Sequence, residues 1–151
     1  MSQKVEFNVL LVPVDFSGNS KVAFSQAVGL VSGEKPVIIL LHVIDAALPT
    51  FAEAHDLGSH DDIITRARQR AEEKFREYTS VCPEGIEVDP VVSEGLPFLE
   101  ILRKADDFAV DAIVMSKIGR RGKVEEFLFG STAEKVLRGC TKPVLVLPIS
   151  D

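Results

Sequence analysis

The chain has 151 residues, 46% hydrophobic and 26% charged, with no low-complexity tract. This is the composition of one ordinary folded domain over 1–151 and excludes a disordered or fibrous chain. Seventeen Lys and Arg against 23 Asp and Glu give a formal charge of −6, which argues against general nucleic-acid binding because like charges repel the phosphate backbone.

The opening MSQKVEF has no leader pattern, and the longest apolar stretch, residues 37–41, is far short of the roughly 20 residues of a membrane span. A cytoplasmic protein with no membrane association is expected. Cys82 and Cys140 form no C-x-x-C or other spaced cluster, so both are expected as reduced thiols.

In chain order, NVLLVPV at residues 8–14 is β-branched and Leu-rich without polar alternation, which predicts a strand covered on both faces. The cap and turn formers of DFSGNS follow, then Ala23, Ala27, Leu30 and Val31 at helical spacing, with Gly33 as a stop. VIILLHV at 37–43 is a second buried strand. A long polar loop over 45–60 leads to a helix carrying Ile64, Ala67, Ala71, Phe75 and Tyr78, with Asp61 placed to cap it.

Residues 86–92 predict a third strand, and Pro97 opens a helix bearing Leu99, Leu102 and Ala105. Residues 111–115 make a fourth strand. After a Gly- and Arg-rich loop, Gly130-Ser131-Thr132 opens a last helix ending near Gly139, and residues 144–148 form a fifth strand. Strict βα alternation with right-handed crossovers predicts an α/β fold: a single five-stranded parallel sheet with helices on both faces. Ligands of such sheets sit beyond the carboxyl ends of the strands where the order reverses, which singles out the loops after strands one and four.

Four segments in order, LLVPVDFSGNSKVAF (10–24), LLHVID (40–45), GLPFLEILRKADDFAVDAIVMS (95–116) and GSTAEKVLRGCTKPVLVLP (130–148), resemble the universal stress protein family across nearly the whole chain. The resemblance implies that family's nucleotide-binding adenine-hydrolase-like architecture over 1–151. It also implies an ATP-binding, dimeric stress-response or signalling module, with Mg²⁺ accompanying the nucleotide. By the same resemblance the ligand is held by Pro13, Asp15, Val43, Met115, Ser116, Gly119, Gly130, Ser131 and Thr132. Val43 serves as an apolar wall for adenine, and Asp15 lies in the nucleotide pocket.

The family's nucleotide-binding pattern G-x2-G-x9-G-[ST] is met imperfectly. Ser116 stands where the first glycine belongs, Gly119 takes the second place, and ten residues rather than nine precede Gly130-Ser131. Pairing Gly119 with Gly122 instead leaves seven. These departures, together with Ala133 where relatives carry another hydroxyl, support an alternative: a member that has lost the nucleotide and acts through protein–protein interaction.

Physics independent of any family also favours an anion here. Gly130 allows close backbone approach, and the first amides of the following helix, with its positive dipole end, attract phosphate. Gly130-Ser131 also reads as a plain helix start. Lys117, Arg120, Arg121 and Lys123 put four cations in the seven residues KIGRRGK, a focus for polyphosphate or a solvated loop balanced by Glu125 and Glu126. Asp15 suits a ribose hydroxyl, a base amine or a metal-bound water, and also suits capping the first helix.

His42 reads as a satisfied core histidine. His55 and His60 with Asp56, Asp61 and Asp62 match no metal-ligand spacing. No nucleophile–base pair and no P-loop Lys-Ser or Lys-Thr is present, so at most slow ATP hydrolysis is expected and no dedicated hydrolase or kinase. The fifth strand is expected at a sheet edge, where it would pair two copies into a homodimer, limited by Pro148.

Overall fold

A computed structural model of the chain describes residues 6–117 and 129–148. The elements run β1 (Val9–Pro13), α1 (Gly18–Leu30), β2 (Val37–Asp45), α2 (Ala47–Ala54), α3 (His60–Thr79), β3 (Glu87–Gly95), α4 (Pro97–Asp107), β4 (Ala112–Ser116), α5 (Ser131–Gly139) and β5 (Val144–Leu147). The five strands form one parallel sheet in the order β3-β2-β1-β4-β5. The chain therefore winds outward from β1 to β3, returns to the far side of β1, and winds outward again through β4 to β5.

The near-continuous apolar strands follow from burial on both faces. Successive side chains alternate. Leu10, Val12, Ile38, Leu40, Ala112 and Val114 pack under α1 and α3 with Phe24, Ala71, Phe75 and Tyr78. Leu11, Ile39, Leu41, Ile113 and Met115 pack under α4 and α5 with Ile101, Ala105, Ala133 and Val136. Cys82 packs against the first core and Cys140 against the second, on opposite faces of the sheet, and both are free thiols.

The structure corrects the sequence reading at two places between β2 and β3. The expected loop over 45–60 contains α2, whose Pro49 and Ala52 are buried. Its N-cap, Ala46, has no capping side chain, and Asp45, one residue earlier, accepts the Ala47 amide instead (2.9 Å), so the usual start signal is displaced. The cap of α3 is Ser59, whose hydroxyl accepts the Asp62 amide at 3.2 Å; Asp61 sits in the first turn, where its charge suits the helix dipole.

β3 also runs three residues beyond its expected end, because Ser93, Glu94 and Gly95 find partners in the extension of β2 through Asp45. Both β3 and β5 are edge strands, and an edge is where a strand tolerates Pro90. Among the described residues no helix is long and apolar enough to cross a membrane.

Candidate site at the strand carboxyl ends

The order reverses between β1 and β4, so the crevice beyond their carboxyl ends is the place the topology reserves for a ligand. β1 delivers Pro13, half-buried, and then the turn Asp15-Phe16-Ser17. Ser17 is the N-cap of α1, its hydroxyl accepting the Ser20 amide (3.3 Å). Asp15 does not cap the helix directly. Its Oδ1 accepts the Ser17 amide (3.0 Å) and the buried Ser20 hydroxyl (2.7 Å), while its own amide donates to Ser20 Oγ (2.9 Å).

Between them Phe16 adopts φ 66°, a left-handed conformation that costs a residue with a Cβ about 1–2 kcal/mol. Its ring is clasped by others. The centroid lies 4.4 Å from that of His42, 5.5 Å from Phe75 in an edge contact, and 6.2 Å from Tyr78. His42, expected as a satisfied core residue, is half-buried and donates from Nδ1 to the Val14 carbonyl at 2.8 Å.

β4 delivers the other wall. Met115 is buried and Ser116 half-buried at its end, and the next residue, Lys117, donates its amide to the Leu147 carbonyl of β5 (2.7 Å). The Lys117 carbonyl in turn accepts the Gly130 amide (2.9 Å). The two ends of the glycine loop are thereby pinched together, and the start of α5 is held against the end of β4. Gly130 is the N-cap of α5, with no capping side chain, so the first-turn amides at Ser131 and Thr132 have no intrahelical acceptor. That is the condition for an anion site.

Val43, half-buried at the end of β2, packs on the α4/α5 face together with Met115 and Ala133. The structure thus brings Pro13, Asp15, Val43, Met115 and Ser116 to one end of three adjacent strands, with Gly130, Ser131 and Thr132 at the helix start beside them. Gly119, with Arg120, Arg121, Gly122, Lys123, Glu125 and Glu126, lies outside the described residues. Lys117 places its ammonium over the Phe129 ring, 5.4 Å from the centroid.

Sequence reasoning passed over three features nearby. The Ser93 hydroxyl is buried without a hydrogen-bond partner, and its residue stands in register beside Val43. The Tyr78 hydroxyl is likewise buried and unpartnered, and burial, aided by the negative Asp15, pushes its pKa well above the ordinary phenol value. A serine in a strand and a tyrosine on a helix carry no local mark of either condition. Glu94 is the third: it meets His60 Nε2 at 2.5 Å, while Asp61 meets His60 Nδ1 at 3.2 Å. His55 instead lies against Phe51 in a tilted contact, ring centroids 4.2 Å apart. Among the described residues no three His, Cys, Asp or Glu side chains converge as a metal site requires.

Two concavities lie away from these strand ends. One of about 370 Å³ is lined by Glu34, Lys35 and Pro36 with Gly85, Ile86 and Glu87, at the amino ends of β2 and β3. The other, about 340 Å³, is a groove between α1 and the end of α3.

Comparison with known proteins fits this architecture. The sequence profile described as the Universal stress protein family matches residues 6–148. Universal stress protein MJ0577 of Methanocaldococcus jannaschii is 28% identical over 95% of this chain and 96% of its own length. Its solved structure superposes with a TM-score of 0.85, covering 97% of this chain and 99% of that one. Universal stress protein YxiE of Bacillus subtilis is 27% identical, covering 93% of this chain and 99% of its own. At the level of fold alone, the universal stress protein from Archaeoglobus fulgidus solved in complex with dAMP is similar at a TM-score of 0.59 and 18% identity, over 95% of this chain and 98% of that one. Strand order, the Asp15 turn and the helix start at Gly130 thus come together in a chain matched almost from end to end, and it belongs to the universal stress protein family.

Proposed function

We propose that the protein binds an adenine nucleotide, ATP with Mg²⁺, in the crevice beyond β1, β2 and β4, and acts as a cytoplasmic, dimeric stress-response or signalling module. One observation carries the reading: the uncapped start of α5 is tethered to the end of β4 by the Lys117–Gly130 hydrogen bond, at the point where the strand order reverses. The phosphates would take the amides and hydroxyls of Ser131 and Thr132. Asp15 would meet the ribose or a water on the metal, and Pro13, Val43 and Met115 would enclose the base. The dAMP complex of a protein with this fold supports an adenine nucleotide as the ligand class. Mg²⁺ keeps most of its waters and is commonly held by phosphates with one or two carboxylates, which agrees with Asp15 as the one acid in the set.

Isothermal titration with ATP and Mg²⁺ tests the reading. A saturable heat and a rise in melting temperature are expected; neither appearing at millimolar ATP would defeat it. Ser116, which keeps a side chain where the family pattern has glycine, favours a second reading, a member that works through protein–protein contacts without nucleotide. Nucleotide released on denaturing protein purified from cells would exclude that alternative.

A further inference from the structure

Phe16 is a bulky residue held at φ 66°, a backbone state that such residues occupy only when the surroundings over-determine it. The surroundings do so here. His42 covers the ring from β2, and Phe75 and Tyr78 close on it from α3. The His42 imidazole also fixes the Val14 carbonyl, so the peptide leading into Asp15 is anchored to β2 as well. Val14 and Phe16 both pack into the core under α1 and α3, and Asp15, the residue between them, has its carboxylate held by the Ser17 amide and the Ser20 hydroxyl instead.

We infer that Phe16 is the positioning residue for Asp15: its clasped ring holds the left-handed turn that aims the carboxylate at the ligand. This rests on the nucleotide reading given above. Ring packing contributes to holding the turn, and the benefit falls on the neighbouring side chain of Asp15. Removing the ring leaves a left-handed alanine held only by the Asp15, Ser17 and Ser20 hydrogen bonds. The backbone relaxes to negative φ, and the Asp15 carboxylate swings away from the orientation set by Ser17 and Ser20. The consequence is weaker ligand binding transmitted through Asp15.

A double-mutant cycle separates this from simple core packing, which would lower stability without regard to Asp15. ATP affinity with Mg²⁺ is measured by titration for the wild-type chain, Phe16→Ala, Asp15→Asn and the double variant, with melting temperatures alongside. Phe16→Ala is expected to weaken ATP about tenfold, the size of a hydrogen bond to a charged group lost or misaligned. The double variant should bind no more weakly than Asp15→Asn alone. Phe16→Gly, which takes positive φ without strain, should bind more tightly than Phe16→Ala although both lack the ring.

Where Phe16→Ala does not fold, Phe16→Leu takes its place in the cycle. Unchanged affinity in a folded Phe16 variant, effects that multiply in the double variant, or a glycine variant no better than alanine would each overturn the inference. In those cases ATP binding by the wild-type chain leaves the nucleotide site standing. A wild-type chain that binds no ATP removes the site and this role of Phe16 together.

Discussion

His60 shows how a single side chain ties elements together and carries a pH dependence. Its imidazole touches Glu94 on β3 and Asp61 on α3, while its amide donates to Glu53 of α2 at 2.9 Å. The bond to Glu94, and secondarily that to Asp61, raises its pKa above the ordinary histidine value of 6.5. A raised folded pKa means that the tie is fully present below about pH 6.5 and is lost as pH climbs through the higher folded value. The His60 resonances followed by NMR should titrate above the ordinary range, and Glu94→Gln should bring them back toward it. A titration unmoved by that substitution would refute the pairing. Asp15 could be picked from sequence because an acid after a strand of this kind is a recognisable pattern. Phe16 and the His60–Glu94 pair could not, since the ion pair spans 34 residues and the rings around Phe16 come from strand and helix elements far along the chain; Ser93 could not, since its burial is set by the packing of the sheet.

Among the elements, α5 carries the sharpest consequence. Its N-cap is Gly130 at φ −63° and ψ 155°, extended backbone that any residue adopts, so a side chain there brings no backbone strain. Gly130→Asp would cap the helix and add a negative charge where the proposed phosphates sit. Stability should rise by a few tenths of a kcal/mol to about 1 kcal/mol, while ATP affinity falls about tenfold or more through charge repulsion. Melting curves and titration on the same preparation check the two effects. A variant that keeps wild-type affinity would move the phosphates elsewhere. α1, α4 and α5 were legible because the Ser17 cap of α1, the first-turn proline of α4 and the apolar spacing are local signals. α2 was not: its capping acid sits one residue early, its N-cap is alanine, and its large apolar residues Leu48 and Phe51 are exposed while Pro49 and Ala52 are buried, so they do not mark the packed face.

At the scale of the whole molecule, the edge position of β5 bears on assembly. Its outer side has no strand partner among the described residues, and Leu145 is 41% exposed there. Unpaired edges invite a second copy, and Pro148 would end such a ladder because it lacks an amide hydrogen. The homodimer proposed through this strand predicts a two-chain mass by sedimentation at micromolar concentration, and Leu145→Lys should shift it toward single chains with the fold retained. Single chains in the wild-type protein would refute it.

The sequence alone determined the alternation of buried strands and helices, and with it a parallel sheet, because each strand's apolar run and each helix's caps are set by near neighbours along the chain. It also determined that Asp15 and Gly130-Ser131-Thr132 were residues to watch. Only the tertiary structure decided that they lie at the same end of the sheet: the strand order β3-β2-β1-β4-β5 lays the end of β1 beside the end of β4. It decided, too, that the start of α5 is held against the end of β4, by the Lys117–Gly130 hydrogen bond. Likewise the aromatic clasp on Phe16 joins β1, β2 and α3. Contacts of this kind form between residues far apart in sequence, and no local pattern encodes them.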